Sequence, residues 1–334
     1  MTTIPKKLRS PRVVLLAMSL ATLTTAARGA DIYLVAGTTT KLMPDGASIP
    51  MWGFALDPDF GGDGVVTIPG PTIEVLPGDA TLSIHLKNNL AEPVSIVIPG
   101  LRAAMSPVYF TDGQGRPRVR SFTHEAAPGG SATYTWTNLQ PGTRLYQSGT
   151  HSSVQVQMGL YGCITQDASP GEAYPGVAYD QQVVLVFSEI DPALHDAVDS
   201  GNYVSFGDPQ VNMTSTIDFR PKYFLVNGEP YSAGTPSITA GNVGDDVLVR
   251  LVNAGLRSYA PVMLGAHVEL AAEDGYSYTH RTRQYSILLP AAKTLDVLFT
   301  PSAAGMYPLF DRRLNLTNAG AAPGGVLRVL SVAP

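Results

Sequence analysis

The chain has 334 residues, a formal charge of −5 and only 15% charged residues. Without a long Lys/Arg run it lacks the basic surface of nucleic-acid-binding proteins, so we expect no nucleic-acid partner. Its 33 glycines and 27 prolines separate many short runs rich in Val, Ile, Leu, Thr and Tyr. The composition predicts an all-β protein with few long helices, and the length predicts two domains.

The N-terminus has the order of a secretory signal. Four basic residues among positions 6–12 precede an apolar run over residues 13–23, and small residues follow up to Gly29. We therefore predict a signal peptide over residues 1–29. The apolar run is short for a bilayer and no second long one follows, so we expect a periplasmic or extracellular protein with no membrane span in the mature chain.

The chain then repeats itself. A Pro-X-Ile triplet, a Gly-Asp pair, an apolar strand and an Asn occur in this order twice, at residues 71–73, 78–79, 82–86 and 88, and again at 236–238, 244–245, 247–252 and 253. Matched landmarks over such a length indicate two copies of one fold. We predict domain 1 over residues 30–168, a Pro- and Gly-rich linker over 169–180, and domain 2 over 181–334, each a Greek-key β-sandwich.

Individual elements are also predicted. In the first repeated strand Leu82, Ile84 and Leu86 alternate with polar residues and should face the core. The single cysteine, Cys163, allows no intramolecular disulfide, and its apolar strand predicts a buried thiol. Asp191, as N-cap before Pro192, predicts one short helix over residues 190–198.

Several ordered motifs resemble the first two domains of multicopper oxidases. They are MPDG and MWGF at residues 43–46 and 51–54, PGPTI and PGD at 69–73 and 77–79, PGTRLYQS and QMGLYG at 141–148 and 157–162, and YFLVNG, RLVNAG, GAH and EDG at 223–228, 250–255, 265–267 and 273–275. The resemblance covers nearly all of the predicted mature chain. It implies two tandem cupredoxin-like domains.

In that family, His-X-His pairs, a Cys and further His residues bind copper. The resemblance places the first pair of domain 1 at Val97 and Pro99 and the second at Gln147 and Gly149. Valine and proline side chains have no donor atom, a Gln carbonyl is a hard and weak copper ligand, and glycine has no side chain. Compared instead with two-domain nitrite reductases, the chain has Gln147 at a His position and Ser148 at the Cys position. Both comparisons predict a degenerate site with no metal and no other cofactor.

The sequence analysis leaves three functions open. We predict a non-catalytic protein that is a binding or structural partner of another exported protein or of a second copy of itself. One alternative is a copper-dependent oxidoreductase of the multicopper oxidase type, whose copper is bound by ligands other than those assigned above. The other is a weak Cu(I) carrier, because His151 and Met158 follow Gln147 closely and a thioether suits Cu(I).

Overall fold

The structure is a computed structural model that describes residues 28–104, 106–201, 203 and 216–334. Residues 1–27 of the predicted signal peptide lie outside this range. The first strand begins at Arg28, so a cleavage after Gly29 falls inside that strand. None of the described helices has the length and apolar character needed to span a bilayer.

Domain 1 is a sandwich of a four-stranded sheet, ordered β2-β1-β4-β7, and a three-stranded sheet, ordered β3-β9-β8, with β5 and β6 forming a separate hairpin. A short helix, α1, precedes β9. The bounds are β1 Arg28–Leu42, β2 Ser48–Leu56, β3 Ile73–Val75, β4 Asp79–Asn88, β5 Val108–Thr111, β6 Pro117–Ser121, β7 Ser131–Thr137, β8 Gly142–Gln147, α1 Ser152–Met158 and β9 Tyr161–Gln166.

Domain 2 repeats this plan with larger sheets. A seven-stranded sheet, ordered β14-β13-β12-β16-β20-β18-β19, faces a four-stranded sheet, ordered β15-β22-β21-β17. The bounds are β10 Glu172–Tyr174, β11 Val177–Ala178, β12 Gln181–Ile190, α2 Pro192–Asp199, β13 Tyr223–Val226, β14 Glu229–Pro230, β15 Ile238–Asn242, β16 Val247–Asn253, β17 Pro261–Met263, β18 Val268–Glu273, β19 Tyr276–Gln284, β20 Thr294–Phe299, β21 Gly305–Asp311 and β22 Leu327–Ala333.

The pairing of the central strands confirms the internal duplication. In domain 1, β4 is parallel to β1 and antiparallel to β7. In domain 2, β16 is parallel to β12 and antiparallel to β20. The predicted two-layer sandwiches are thus present, and Leu82, Ile84 and Leu86 are completely buried as their alternation predicted.

An asparagine at the end of each repeated strand fixes the turn that follows. The Asn88 amide donates to the carbonyls of Glu92, at 2.8 Å, and Ala126, at 3.0 Å, and its oxygen accepts from the Leu90 N–H. Asn253 makes the same three bonds one domain later, to Arg257, Leu289 and Gly255. Both side chains are fully buried, and in each domain two of the three bonds are buried and the third is partly buried.

Helix α2 forms where the sequence predicts it. Asp191 accepts a hydrogen bond from the Ala193 N–H at 3.1 Å, and Pro192 occupies the first turn. Gly201, just beyond the helix, has a φ of +70°, a left-handed conformation that glycine adopts without strain.

The predicted linker is more ordered than its composition suggested. Residues 172–178 contain the hairpin β10–β11. Ala173, Tyr174 and Val177 are buried with Leu248 and Ala271 of domain 2. The Pro and Gly residues that resembled a linker therefore form the turns of a hairpin packed on the second sandwich.

The two domains share a buried interface. Cys163 is fully buried with Leu145 and Val156 of domain 1 and with Val186 and Val252 of domain 2. Burial raises the pKa of the Cys163 thiol to about 12. The prediction of a buried thiol is confirmed.

Polar bonds complete that interface. Thr143 donates to the buried Asp296 carboxylate at 2.7 Å, and the Arg250 guanidinium donates to the Thr143 hydroxyl at 3.0 Å. Asp296 and Arg250 belong to domain 2 and Thr143 to domain 1, so the network fixes the orientation of one sandwich on the other.

Candidate functional site

The positions at which the resemblance places copper ligands come together at the end of β8. The segment that carries Val97 runs antiparallel to Gln147. The Val97 N–H donates to the Gln147 carbonyl at 2.9 Å, and the Gln147 N–H donates back to the Val97 carbonyl at 3.0 Å. The spacing of the sequence motifs therefore identified neighbouring residues, because this pair aligns the two segments.

Gly149 packs directly against the Val97 side chain. A Cβ atom on Gly149 would lie 2.7 Å from Val97 Cγ1 and 2.9 Å from Ser95 Oγ. Real side chains essentially never approach so closely, so any larger residue at position 149 requires Val97 to move. Valine and glycine thus fill this part of the site by van der Waals contact.

Three buried hydroxyl groups lie beside that contact. Ser95 Oγ and Ser121 Oγ are 3.0 Å apart, and Thr150 Oγ1 is 2.9 Å from the first and 3.0 Å from the second. Each oxygen satisfies the others in a dry environment. Neutral hydroxyl oxygens are hard, weak donors for copper, and these are already hydrogen-bonded to one another.

A cavity of about 270 Å³ opens next to Val97, Pro99 and Gln147. Its deep part is formed by completely or almost completely buried side chains, and its mouth includes the exposed Phe122. The remaining lining residues are Ile96, Ile98, Gly100, Leu101, Ala103, Thr123, Tyr134 and Trp136. None of the twelve lining residues is charged.

The weak candidates His151 and Met158 do not join this cavity. His151 is the exposed N-cap of α1, with its ring 6.3 Å from that of Phe110. Met158, the last residue of the helix, is fully buried with Val154 and Leu194. Seven residues of helix separate the two by about 10 Å along the axis. The pKa of His151 is lowered, first by partial desolvation of its ring and then by the nearby Arg120 charge.

The donor set at this site does not fit a copper ion. Of the four positions, only Gln147 has a side-chain donor atom, and its carbonyl is a hard ligand. Over the described ranges, no three or more His, Cys, Asp and Glu residues are grouped so that they could hold a metal ion.

The aromatic side chains of the cavity were not predicted from the sequence. Tyr134 and Trp136 are two residues apart on β7, and both are buried. Their spacing of two residues predicts that both side chains lie on the same face of the strand. Two aromatic residues on one face are typical of a packed core, so this pattern does not predict a cavity. Which parts of that core remain open depends on how Pro99, Leu101 and Phe122 fold over it.

Comparisons with known proteins agree with the motifs. Two family models described as multicopper oxidase match residues 66–169 and 202–328. Copper resistance protein A of Escherichia coli is 25% identical over 286 residues, which is 75% of this chain and 44% of that protein. A copper-containing nitrite reductase of Neisseria gonorrhoeae is 24% identical over 277 residues, 82% of this chain and 62% of that protein. The chain thus spans less than two thirds of the length of either relative.

Solved structures show the same architecture. The blue copper oxidase from Nitrosomonas europaea superposes with a TM-score of 0.70 at 18% identity, covering 91% of this chain and 86% of its own. The copper nitrite reductase from the same organism has a TM-score of 0.64 at 19% identity, covering 91% and 94%. At these identities the likeness shows the fold alone, and it confirms the predicted cupredoxin-like sandwiches.

Proposed function

The chain belongs to the multicopper oxidase family, and from this premise we propose that it is a copper-free member that acts by binding and not by electron transfer. Its partner is another exported protein or a second copy of itself. The protein works in the periplasm or outside the cell, after removal of the signal peptide. No catalytic residue is assigned to it.

The contact between Val97 and Gly149 carries the proposal. A copper ligand at position 149 needs the space that Val97 Cγ1 occupies, and the Val97 side chain cannot itself donate an electron pair. The two residues support each other, because glycine makes room for valine. Loss of a single ligand would weaken a metal site, whereas this arrangement closes it by packing.

An apolar surface next to the cavity supports a binding role. Tyr109, Val119 and Phe122, on and beside the β5–β6 hairpin, are exposed, as is Phe110 in part. The hairpin is held to the sandwich by two backbone bonds, from the Phe122 N–H to the Gly149 carbonyl and from the His151 N–H to the Arg120 carbonyl. Aromatic residues grouped on an exposed element are typical of protein contact surfaces.

Metal content tests the copper-free assignment. We expect the full chain, purified from a copper-supplied host that exports it, to hold less than about 0.1 copper per chain and to show no visible absorption band. A stoichiometric copper with a blue or paramagnetic signal would contradict the proposal.

Two variants locate any copper that is found. Copper lost with His151→Ala or Met158→Leu indicates the Cu(I) carrier. As a positive control, the double variant Val97→His/Gln147→His restores two imidazoles on the paired segments and should bind copper more tightly than the parent chain. If the double variant binds copper no better than a metal-free parent chain, ligand loss is not what keeps the site free of metal.

A further inference from the structure

We propose that the 270 Å³ cavity of domain 1 is a binding site for a small, uncharged aromatic compound that carries a hydroxyl or carbonyl group. The inference rests on the proposed function, because the ligand occupies the place where copper chemistry would otherwise be built. It names the class of molecule that this site takes.

The size of the cavity sets the size of the ligand. An apolar protein cavity of about 150 Å³ accommodates benzene, and the cavity beside Val97 measures about 270 Å³. One fused pair of rings with a single substituent matches this volume.

The lining sets the charge and character of the ligand. All twelve residues are uncharged, and three of them, Phe122, Tyr134 and Trp136, are aromatic. A charged ligand would lose its hydration without gaining an ionic partner, so an ionised group is excluded on energetic grounds. Aromatic rings gain most here, because they stack on the aromatic lining and bury a large apolar area with little conformational cost.

Two polar groups on the lining are unpaired. The Gln147 side-chain amide and the Trp136 indole N–H have no hydrogen-bond partner among the described residues, and both groups remain in contact with solvent. The Tyr134 hydroxyl, in contrast, donates to the His124 carbonyl at 2.9 Å. A ligand that fills the cavity removes water from these two groups, and an oxygen atom on the ligand can replace the hydrogen bond that water makes. This is why the proposed ligand carries a hydroxyl or carbonyl group.

The fold does not require such a cavity. The equivalent place in domain 2, next to Met263 and Val268, encloses only about 10 Å³. This is room for at most one water molecule. The sequence of domain 1 therefore keeps open a space that the sequence of domain 2 fills.

Fluorine NMR on the full chain tests the proposal directly. Protein labelled with 5-fluorotryptophan gives two resonances, from Trp52 and Trp136, the only two tryptophans, and Trp52→Phe assigns them. We expect 2-naphthol to shift the Trp136 resonance saturably, with a Kd of about 100 μM or tighter, and to leave Trp52 unchanged. The matched anion 2-naphthoate should cause no shift up to about 1 mM.

Variants separate the cavity from the rest of the surface. Gln147→Leu keeps the size of the side chain and should weaken 2-naphthol binding about 5-fold, since it removes one hydrogen bond. The control Gln140→Leu changes an exposed glutamine of the same domain and should have no effect. Ala103→Phe fills the cavity and should abolish the shift, while the two dispersed fluorine resonances report that the variant is folded.

The possible outcomes distinguish the two proposals. Copper measured in the same sample at one per chain contradicts the proposed function. A copper-free sample in which 2-naphthol causes no saturable Trp136 shift, or in which 2-naphthoate binds equally well, contradicts the cavity proposal alone.

Discussion

The two domains solve the same packing problem differently. In each domain a segment follows the asparagine that ends the repeated strand, Asn88 or Asn253, and is held by a hydrogen bond from that side chain. Domain 1 leaves about 270 Å³ open there, between Val97 and Trp136, whereas domain 2 leaves about 10 Å³. Backbone topology is thus insufficient to explain the cavity, which depends on the side chains that line it.

The difference also locates the specialised half of the molecule. In domain 2, Met263, Val268, Ile287 and Leu309 close the space and belong to one continuous core. In domain 1, the small residues Gly100 and Ala103 lie where bulk would close it. Domain 2 therefore has no cavity of useful size at this place, and the proposed binding site lies in domain 1.

The largest expected effect tests whether the buried asparagine at the end of the repeated strand has the same role in both domains. Asn88→Ala and Asn253→Ala should each lower the free energy of unfolding by about 2–4 kcal/mol, because a buried side chain loses three hydrogen bonds to the backbone in either case. Urea unfolding measures both. If one variant leaves the free energy of unfolding nearly unchanged while the other lowers it strongly, the two asparagines do not play the same role.

An intermediate effect tests whether the space that is open in domain 1 is filled by side chains in domain 2. Val268→Phe should lower the free energy of unfolding by about 2 kcal/mol, since domain 2 has no space for the added ring. Ala103→Phe, at the cavity of domain 1, should change it by no more than about 0.5 kcal/mol. Thermal and urea unfolding of the two variants measure the contrast. Equal losses would show that the domain 1 cavity is not available to a side chain.

A smaller effect tests the packing between Val97 and Gly149. Gly149→Ala should lower the free energy of unfolding by about 1–2 kcal/mol, because its Cβ meets Val97. In a Val97→Ala background the same change should cost about 1 kcal/mol less. A double-mutant cycle by urea unfolding gives this coupling. Additive losses would mean that the two residues do not exclude a larger group together.

Much of the fold and part of the site were predictable from local patterns. The period of two in the strand with Leu82 and Ile84 predicted a buried face, and the Asp191-Pro192 pair predicted a helix start, because both signals depend on neighbouring residues only. The hairpin β10–β11 was missed, since prolines and glycines occur equally in linkers and in tight turns. Helix α1 was also missed, because seven residues begun by a left-handed His151 have no ordinary cap signal.

The sequence by itself determined the family, the duplication of the sandwich and the chemistry available at Val97, Pro99, Gln147 and Gly149, since side-chain donor atoms are fixed by residue type. Only the tertiary structure decided that Gly149 packs on Val97, that His151 and Met158 are held apart by a helix, and that a cavity remains beside Trp136. These facts depend on distances between segments far apart in the chain. Packing sets such distances, and no local pattern encodes them.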